Sequence, residues 1–312
     1  GSGRMPSKAK PVYVYYPDSL GEFLQLRRRK PDALVYAGGT YVLKGTESRM
    51  VPLPQEVISL QWVEELKRVS RSDRYVELGA GCSLSSIVEV GRNVLPRSYV
   101  QAFSTMAPMG IISLATLGGN LCVEDHILTA HPLVVAADAR LELRRHGNAR
   151  WIPAGRFRTE NGKPALENGE IVSRVRIPLE SWNVQVFASF GRPYIPESDP
   201  VVFVGLAKTE TGVVDDFRMV FSAHGRYLFR NRELEAELIG RRAPLPHREA
   251  ATFLKRLDAL MHGRSPSVPP GGGATTATTS EGADRGLTVE LSSLQRRRIL
   301  GSARRMLLRF SS

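Results

Sequence analysis

Ala33-Leu34-Val35-Tyr36-Ala37-Gly38-Gly39-Thr40-Tyr41-Val42-Leu43 is an apolar run of strand length that passes directly into a glycine pair followed by a hydroxyl side chain. The stretch before it reads as a helix. Ser19-Leu20-Gly21-Glu22 has the S-x-x-E form of a capping box, and Leu20, Phe23, Leu24 and Arg27 then recur at helical spacing. Arg28, Arg29 and Lys30 sit at the basic C-terminal end that the helix dipole favours, and Pro31-Asp32 stops the helix. The local order is therefore helix, strand, glycine loop.

A second glycine pair lies in Thr116-Leu117-Gly118-Gly119-Asn120, about eighty residues on. Glycine lets backbone pass close to a ligand and take up positive φ, so that successive N–H groups face an anion, with the hydroxyls of Thr40 and Thr116 as further donors. Taken singly, either pair is a tight turn after a strand. Neither fits G-x-G-x-x-G or G-x-x-x-x-G-K-[ST], so a doubly wound dinucleotide domain or a P-loop is not supported.

The remaining chain mixes both element types. Val57–Leu60 and Tyr75–Ala80 read as strands, Ser83–Glu89 and 97–106 as helices, and Val134–Ala139 with Leu141–Leu143 as helix and strand candidates. Ile171–Pro178 is a strand ended by proline. A composition shift near Leu179–Val184 marks a domain boundary. Beyond it Val201–Ala207 and Phe217–Phe221, separated by Thr211-Gly212-Val213, predict an antiparallel meander. Glu233–Leu238 continuing into Glu249–Met261, and Leu291–Leu308, predict closing helices, with a Pro/Gly/Ser/Thr/Ala-rich loop over 265–286 expected to be disordered.

Composition narrows the function classes. A chain of 312 residues, 42% hydrophobic, suggests two domains with full-sized cores. No apolar run is long enough to span a bilayer, and Gly1-Ser2-Gly3-Arg4-Met5 reads as a tag remnant rather than a signal peptide, so a soluble, cytoplasmic protein without membrane contact is expected. The two cysteines, Cys82 and Cys122, are too far apart for a metal-binding pair, which leaves no disulfide framework, zinc site or self-contained iron–sulfur cluster. Of six histidines only His126 and His131 are close, at a spacing that fits no standard zinc motif; metal sites are expected to be absent. The net charge of +12 comes from arginine pairs spread over the whole chain without an interleaved aromatic motif, which argues against nucleic acid as partner.

Together the two loops resemble a known family, the flavoprotein subunits of molybdenum hydroxylases of the xanthine dehydrogenase and carbon monoxide dehydrogenase type. Ala37-Gly38-Gly39-Thr40-Tyr41-Val42-Leu43 is similar to the family's A-G-G-T/H-x-L segment, and Ala115-Thr116-Leu117-Gly118-Gly119-Asn120-Leu121 to its T-I-G-G-N-L segment. Glu77–Leu84, Leu133–Leu143, Glu170–Pro178 and Ser302–Leu307 extend the likeness over almost the whole chain. The resemblance implies an α+β fold. After a tag and basic tail over 1–10 come a two-subdomain FAD-binding domain of the vanillyl-alcohol-oxidase/PCMH-like type over 11–183 (subdomains about 11–65 and 66–183) and a C-terminal α+β flavoprotein domain over 184–312, with an antiparallel sheet plus helices.

By the same resemblance FAD is the cofactor. Ala37, Gly38, Gly39, Thr40 and Tyr41 would hold its diphosphate, Gly118, Gly119 and Asn120 would approach the ribityl and isoalloxazine side, and Thr116 would donate to the phosphate or ribityl region. Met106 would lie where an aromatic residue often covers the adenine, or serve as ordinary core filling. Two departures stand out. Thr129 occupies the place of a usual aspartate, an uncharged substitute for a strong acceptor, with Asp125 as the nearest compensating carboxylate. Ser189 replaces a basic residue near the flavin, so either the flavin potential falls or Arg192 serves instead.

The implied function is electron transfer: electrons arrive from a separate iron–sulfur subunit, a large molybdopterin subunit carries the hydroxylation, and NAD or another acceptor takes the pairs. The cofactor does the redox work, so no acid–base dyad or nucleophile in this chain is required, and none is expected. The rival reading is a degenerate scaffold subunit with weak or absent FAD binding.

Overall fold

The computed structural model describes residues 11–36, 55–95, 97–106, 116–123, 127, 129–159, 162–193, 195–223, 227–262 and 290–311. The first glycine loop with Ala37, Gly38, Gly39, Thr40 and Tyr41, together with Asp125 and the tracts 1–10 and 265–286, lies outside them.

Helix α1 (Leu20–Arg29) begins where Ser19 caps it, its hydroxyl accepting from Glu22 N–H at 3.1 Å. The reciprocal half of the capping box is displaced by one residue, since Glu22 accepts from Asp18 N–H at 3.0 Å. Leu20, Phe23 and Leu24 bury one face of α1 on a parallel sheet of β1 (Tyr13–Tyr15), β2 (Leu34–Tyr36) and β3 (Glu56–Ser59), in the order β1-β3-β2.

A second sheet contains β4 (Val69–Arg71), β5 (Tyr75–Gly79), β6 (Arg140–Arg145), β7 (Asn148–Pro153) and β8 (Ile171–Pro178), antiparallel throughout in the order β4-β5-β8-β6-β7. Its alternating pattern sends Val76, Leu78, Leu141, Leu143, Val175 and Ile177 into a core. That core is shared with α2 (Leu84–Val94), α3 (Arg97–Met106), α4 (Leu117–Leu121) and α5 (Ala130–Ala136). Residues between those positions carry charge instead: Arg176 lies over the rings of Tyr75 and Trp151 at 4.4 and 4.2 Å.

The third sheet is antiparallel, β12-β11-β10-β9, formed by β9 (Val184–Phe190), β10 (Val201–Glu210), β11 (Val213–Ser222) and β12 (Leu228–Phe229). Thr211 and Gly212 both adopt positive φ, +50° and +75°, which makes the tight β10–β11 turn that the sequence predicts. After α6 (Arg232–Ala236), α7 (His247–His262) and α8 (Ser293–Leu308) cover this sheet with Phe253, Leu257, Ile299 and Met306. The expected continuity of 233–238 into 249–261 does not hold. Gly240, at φ +83°, with Pro244 and Pro246 separates α6 from α7, because the left-handed turn and the missing N–H groups end the first helix.

The architecture is α+β, and α5 is the hinge of the packing. Its C-terminal turn meets the third sheet through Arg218 and Arg230, which donate to Ala136 O at 3.0 Å and Val135 O at 2.8 Å. Asp138, at φ +52°, accepts from Arg230 at 2.8 Å and Arg232 at 2.9 Å and pairs with Arg218 at 3.1 Å. Against a burial that would raise it, Arg230, Arg218 and Arg232 hold the Asp138 carboxyl below its ordinary value.

Candidate functional site

The second glycine loop is sewn onto the end of β5. Leu117 N–H donates to Cys82 O and Gly118 N–H to Ala80 O, each at 2.8 Å, and Thr116 bridges Ser83. Thr116 caps α4, its Oγ1 accepting from Gly119 N–H at 3.0 Å, which leaves the hydroxyl proton free to donate elsewhere. A Cβ on Gly118 would stand 2.9 Å from Ala80 Cβ and 3.1 Å from Ala80 O, so the first glycine of the pair is required by this close approach. Gly79 and Gly81 are needed for a parallel reason: Cβ atoms there would fall 2.2 and 2.9 Å from Leu66 O.

These contacts leave a cavity of about 150 Å³ between the parallel sheet and the loop. Arg27, Val35 and Leu60 form one wall, and Ala80, Gly81, Thr116, Gly118 and Gly119 the other. Cys122 and Glu170 also line it. The volume suits a segment of a dinucleotide rather than the whole. Burial pushes the Cys122 thiol up to about 12, so it is a neutral lining group rather than a nucleophile. Glu170 is matched by Arg150 at 2.8 and 2.9 Å; that guanidinium holds its carboxyl below the usual carboxylate range.

Behind the cavity lies a buried polar cluster. Asn120 Oδ1 accepts from Ala130 N–H at 2.9 Å, tying α4 to α5, while its Nδ2 has no partner. Thr129 is fully buried and its Oγ1 is unpartnered. His131, which sequence reasoning weighed only as a metal ligand, is also fully buried, with neither ring nitrogen hydrogen-bonded. Arg158, a residue without a sequence signal of its own, donates to Leu121 O at 2.8 Å and Gly162 O at 3.0 Å beside it. Met106 ends α3, its side chain lying outside the described residues. Ser189 is on β9 in the third sheet with an unpartnered Oγ, and Arg192 follows that strand; neither lines the cavity. No group of three metal-ligating side chains occurs among the described residues.

Burial, reinforced by Arg158, holds the His131 imidazole well below 6.5. The unfolded chain takes up a proton near pH 6.5 that the folded chain refuses, so stability is fully present above that pH and falls as pH drops below it. The expected slope is up to about tenfold in the folding equilibrium per pH unit. Urea denaturation between pH 7 and 5 should show it, and His131→Leu should flatten it. An unchanged slope in the variant refutes the assignment.

The model for the FAD-binding domain in molybdopterin dehydrogenase matches residues 8–180, more than half of the chain. The protein belongs to this family. Among its relatives, aldehyde oxidase 2 of Cavia porcellus is 29% identical over 224 residues, 67% of this chain and 16% of that protein. The xanthine dehydrogenase FAD-binding subunit of Escherichia coli is 26% identical over 163 residues, 51% of this chain and 55% of the subunit. The chain thus spans about one sixth to one half of the length of the curated relatives it matches. Solved structures share its fold: carbon monoxide dehydrogenase from Hydrogenophaga pseudoflava at TM-score 0.73 and 18% identity, covering 96% of both chains, and quinoline 2-oxidoreductase from Pseudomonas putida 86 at 0.70 and 21%, covering 96% and 99%.

The residues present fit the cofactor of an FAD-binding domain of this family. The cavity brings a glycine pair, a capping threonine and an arginine together, donors of the kind that the phosphate and hydroxyl groups of a dinucleotide accept from.

Proposed function

We propose that this chain is the FAD-binding electron-transfer subunit of a xanthine dehydrogenase-like molybdenum hydroxylase, receiving electrons from a separate iron–sulfur subunit and passing them to NAD or another acceptor, while a large molybdopterin subunit holds the substrate. The observation that carries the reading is the cavity between the parallel sheet and the Thr116–Gly119 segment. The names of the relatives support it. FAD supplies the redox chemistry when bound; the chain's own residues bind and orient it. In this reading Ala37, Gly38, Gly39, Thr40 and Tyr41 hold the diphosphate, and Gly118, Gly119 and Thr116 supply backbone and hydroxyl contacts on the opposite wall. Asn120, Thr129, Met106 and Asp125 complete the set.

Gel filtration of the protein reconstituted with FAD tests the reading: about one FAD is expected to co-elute per chain, and addition of NADH is expected to bleach the bound flavin. A folded protein that retains no flavin overturns the FAD reading, and a bound flavin inert to NADH overturns NAD as acceptor. A second reading, a scaffold subunit with weakened FAD binding, is favoured by one observation. Thr129 is uncharged, buried and unpartnered at the place where the family pattern has a carboxylate. Retention of partner subunits without flavin would select it.

A further inference from the structure

The apolar stripe of α1 contains one residue of the wrong chemistry. Leu20, Phe23 and Leu24 bury their side chains, and Arg27 lies seven, four and three residues after them, on the same face of the helix. The neighbouring arginines do not share this placement, since Arg28 and Arg29 are exposed on the other side. A cation on a buried stripe is costly unless something of opposite charge or a set of acceptors meets it.

What meets Arg27 is incomplete. Its Nη1 donates to Pro31 O at 2.8 Å and Ala33 O at 3.1 Å, which fixes the guanidinium at the entry to β2. Its Nε is buried without a partner, and no carboxylate among the described residues pairs with it. It lines the cavity opposite Gly118 and Gly119, and Glu170, the other charged lining residue, is already satisfied by Arg150. Arg27 therefore lines the cavity as a guanidinium anchored through Nη1 alone, with no carboxylate among the described residues to neutralise it.

We infer that Arg27 is the cofactor-binding cation of this site, its free donors directed to the diphosphate of FAD, the part of the molecule that carries formal negative charge. This rests on the FAD reading above. Backbone N–H groups of a glycine loop supply dipoles but no net charge, and a diphosphate entering a mostly apolar cavity needs a counter-charge. Arginine is suited to it because the planar fork offers two parallel donors to phosphate oxygens.

Three proteins decide it: wild type, Arg27→Met, and Arg28→Met as a control for net charge. Methionine gives the stripe the apolar residue that its spacing calls for, so Arg27→Met is expected to fold with a melting temperature close to wild type. FAD titrations followed by flavin fluorescence are expected to show affinity weakened by about 10- to 100-fold in Arg27→Met, with a shallower dependence on KCl than wild type. Arg28→Met should bind as wild type does. Wild-type FAD affinity in Arg27→Met, or an equal loss in Arg28→Met, overturns the inference; a folded wild type that binds no FAD overturns the reading beneath it instead. If Arg27→Met fails to fold, Arg27→Lys, which keeps the charge but loses the fork, takes its place. Unaltered affinity and salt dependence in Arg27→Lys then overturn bidentate recognition.

Discussion

Gly79→Ala is expected to cost this protein about 3 kcal/mol or more of folding stability, at the top of the range for overpacking, and to loosen the cavity proposed for FAD with it. The added Cβ would lie 2.2 Å from Leu66 O and 2.5 Å from Leu66 C, both backbone atoms. No rotamer change relieves such a contact. The backbone itself is pinned on either side, by Gly79 N–H to Arg68 O and Gly81 N–H to Leu66 O, each at 2.7 Å. Relief requires the turn at Glu64–Lys67 to move away from β5, and Leu66 is part of the cavity wall. Gly21→Ala is the matched control, because its Cβ would meet nothing within 4 Å on the exposed face of α1, where alanine is the better helix former. Urea denaturation of the two variants should differ by the full clash penalty, and FAD affinity should fall in Gly79→Ala alone. Equal midpoints would show that the turn yields without cost.

The sequence makes α1, β2, β5 and the β10–β11 hairpin legible because each is specified locally, by a cap, an apolar run into glycines, or a turn with Gly212 at positive φ. Helix α4 is not legible in the same way. Two glycines in five residues oppose a helix on propensity, and the segment reads as a tight turn until the structure shows Thr116 capping it and Gly118 docked on Ala80. The long-range partner decides the element there. Chemistry follows the same division. Glycine pairs advertise close backbone approach, whereas Arg158, from a segment without a motif, reaches the Leu121 carbonyl at the end of α4 only in three dimensions.

Arg27 and His131 show a second limit. In sequence the first is one basic residue in a run of four and the second is half of a mismatched histidine pair. Their distinguishing property is a buried polar atom without a partner, which depends on what the rest of the chain packs against them. A helical-spacing argument does place Arg27 on the apolar face, so its signal was present. Reading it as functional required knowing that this face borders a cavity.

Arg230→Met should destabilise the protein by about 3–5 kcal/mol at pH 7, the range for removing one member of a buried pair. Arg230 and Glu235 are almost wholly buried and joined at 2.8 Å, and the same guanidinium ties Asp138 and Val135 O, on the far side of the α5 turn, to the third sheet. Without it Glu235 is left in an apolar setting where burial already pushes its carboxyl up, so it would stay protonated in the folded state and ionise on unfolding. The sign follows: with the folded value raised, stability in the variant is present below the unfolded value of 4.5 and is lost as pH rises toward the folded one. The deficit against wild type should therefore be smaller at pH 5 than at pH 8. Arg230→Met with Glu235→Leu removes both charges, and most of the stability should return together with loss of that pH dependence, since well-packed apolar replacements of a buried pair are often neutral. If the double variant is as unstable as the single one, the hydrogen bonds to Val135 O and Asp138 hold α5 on the third sheet and the ion pair does not.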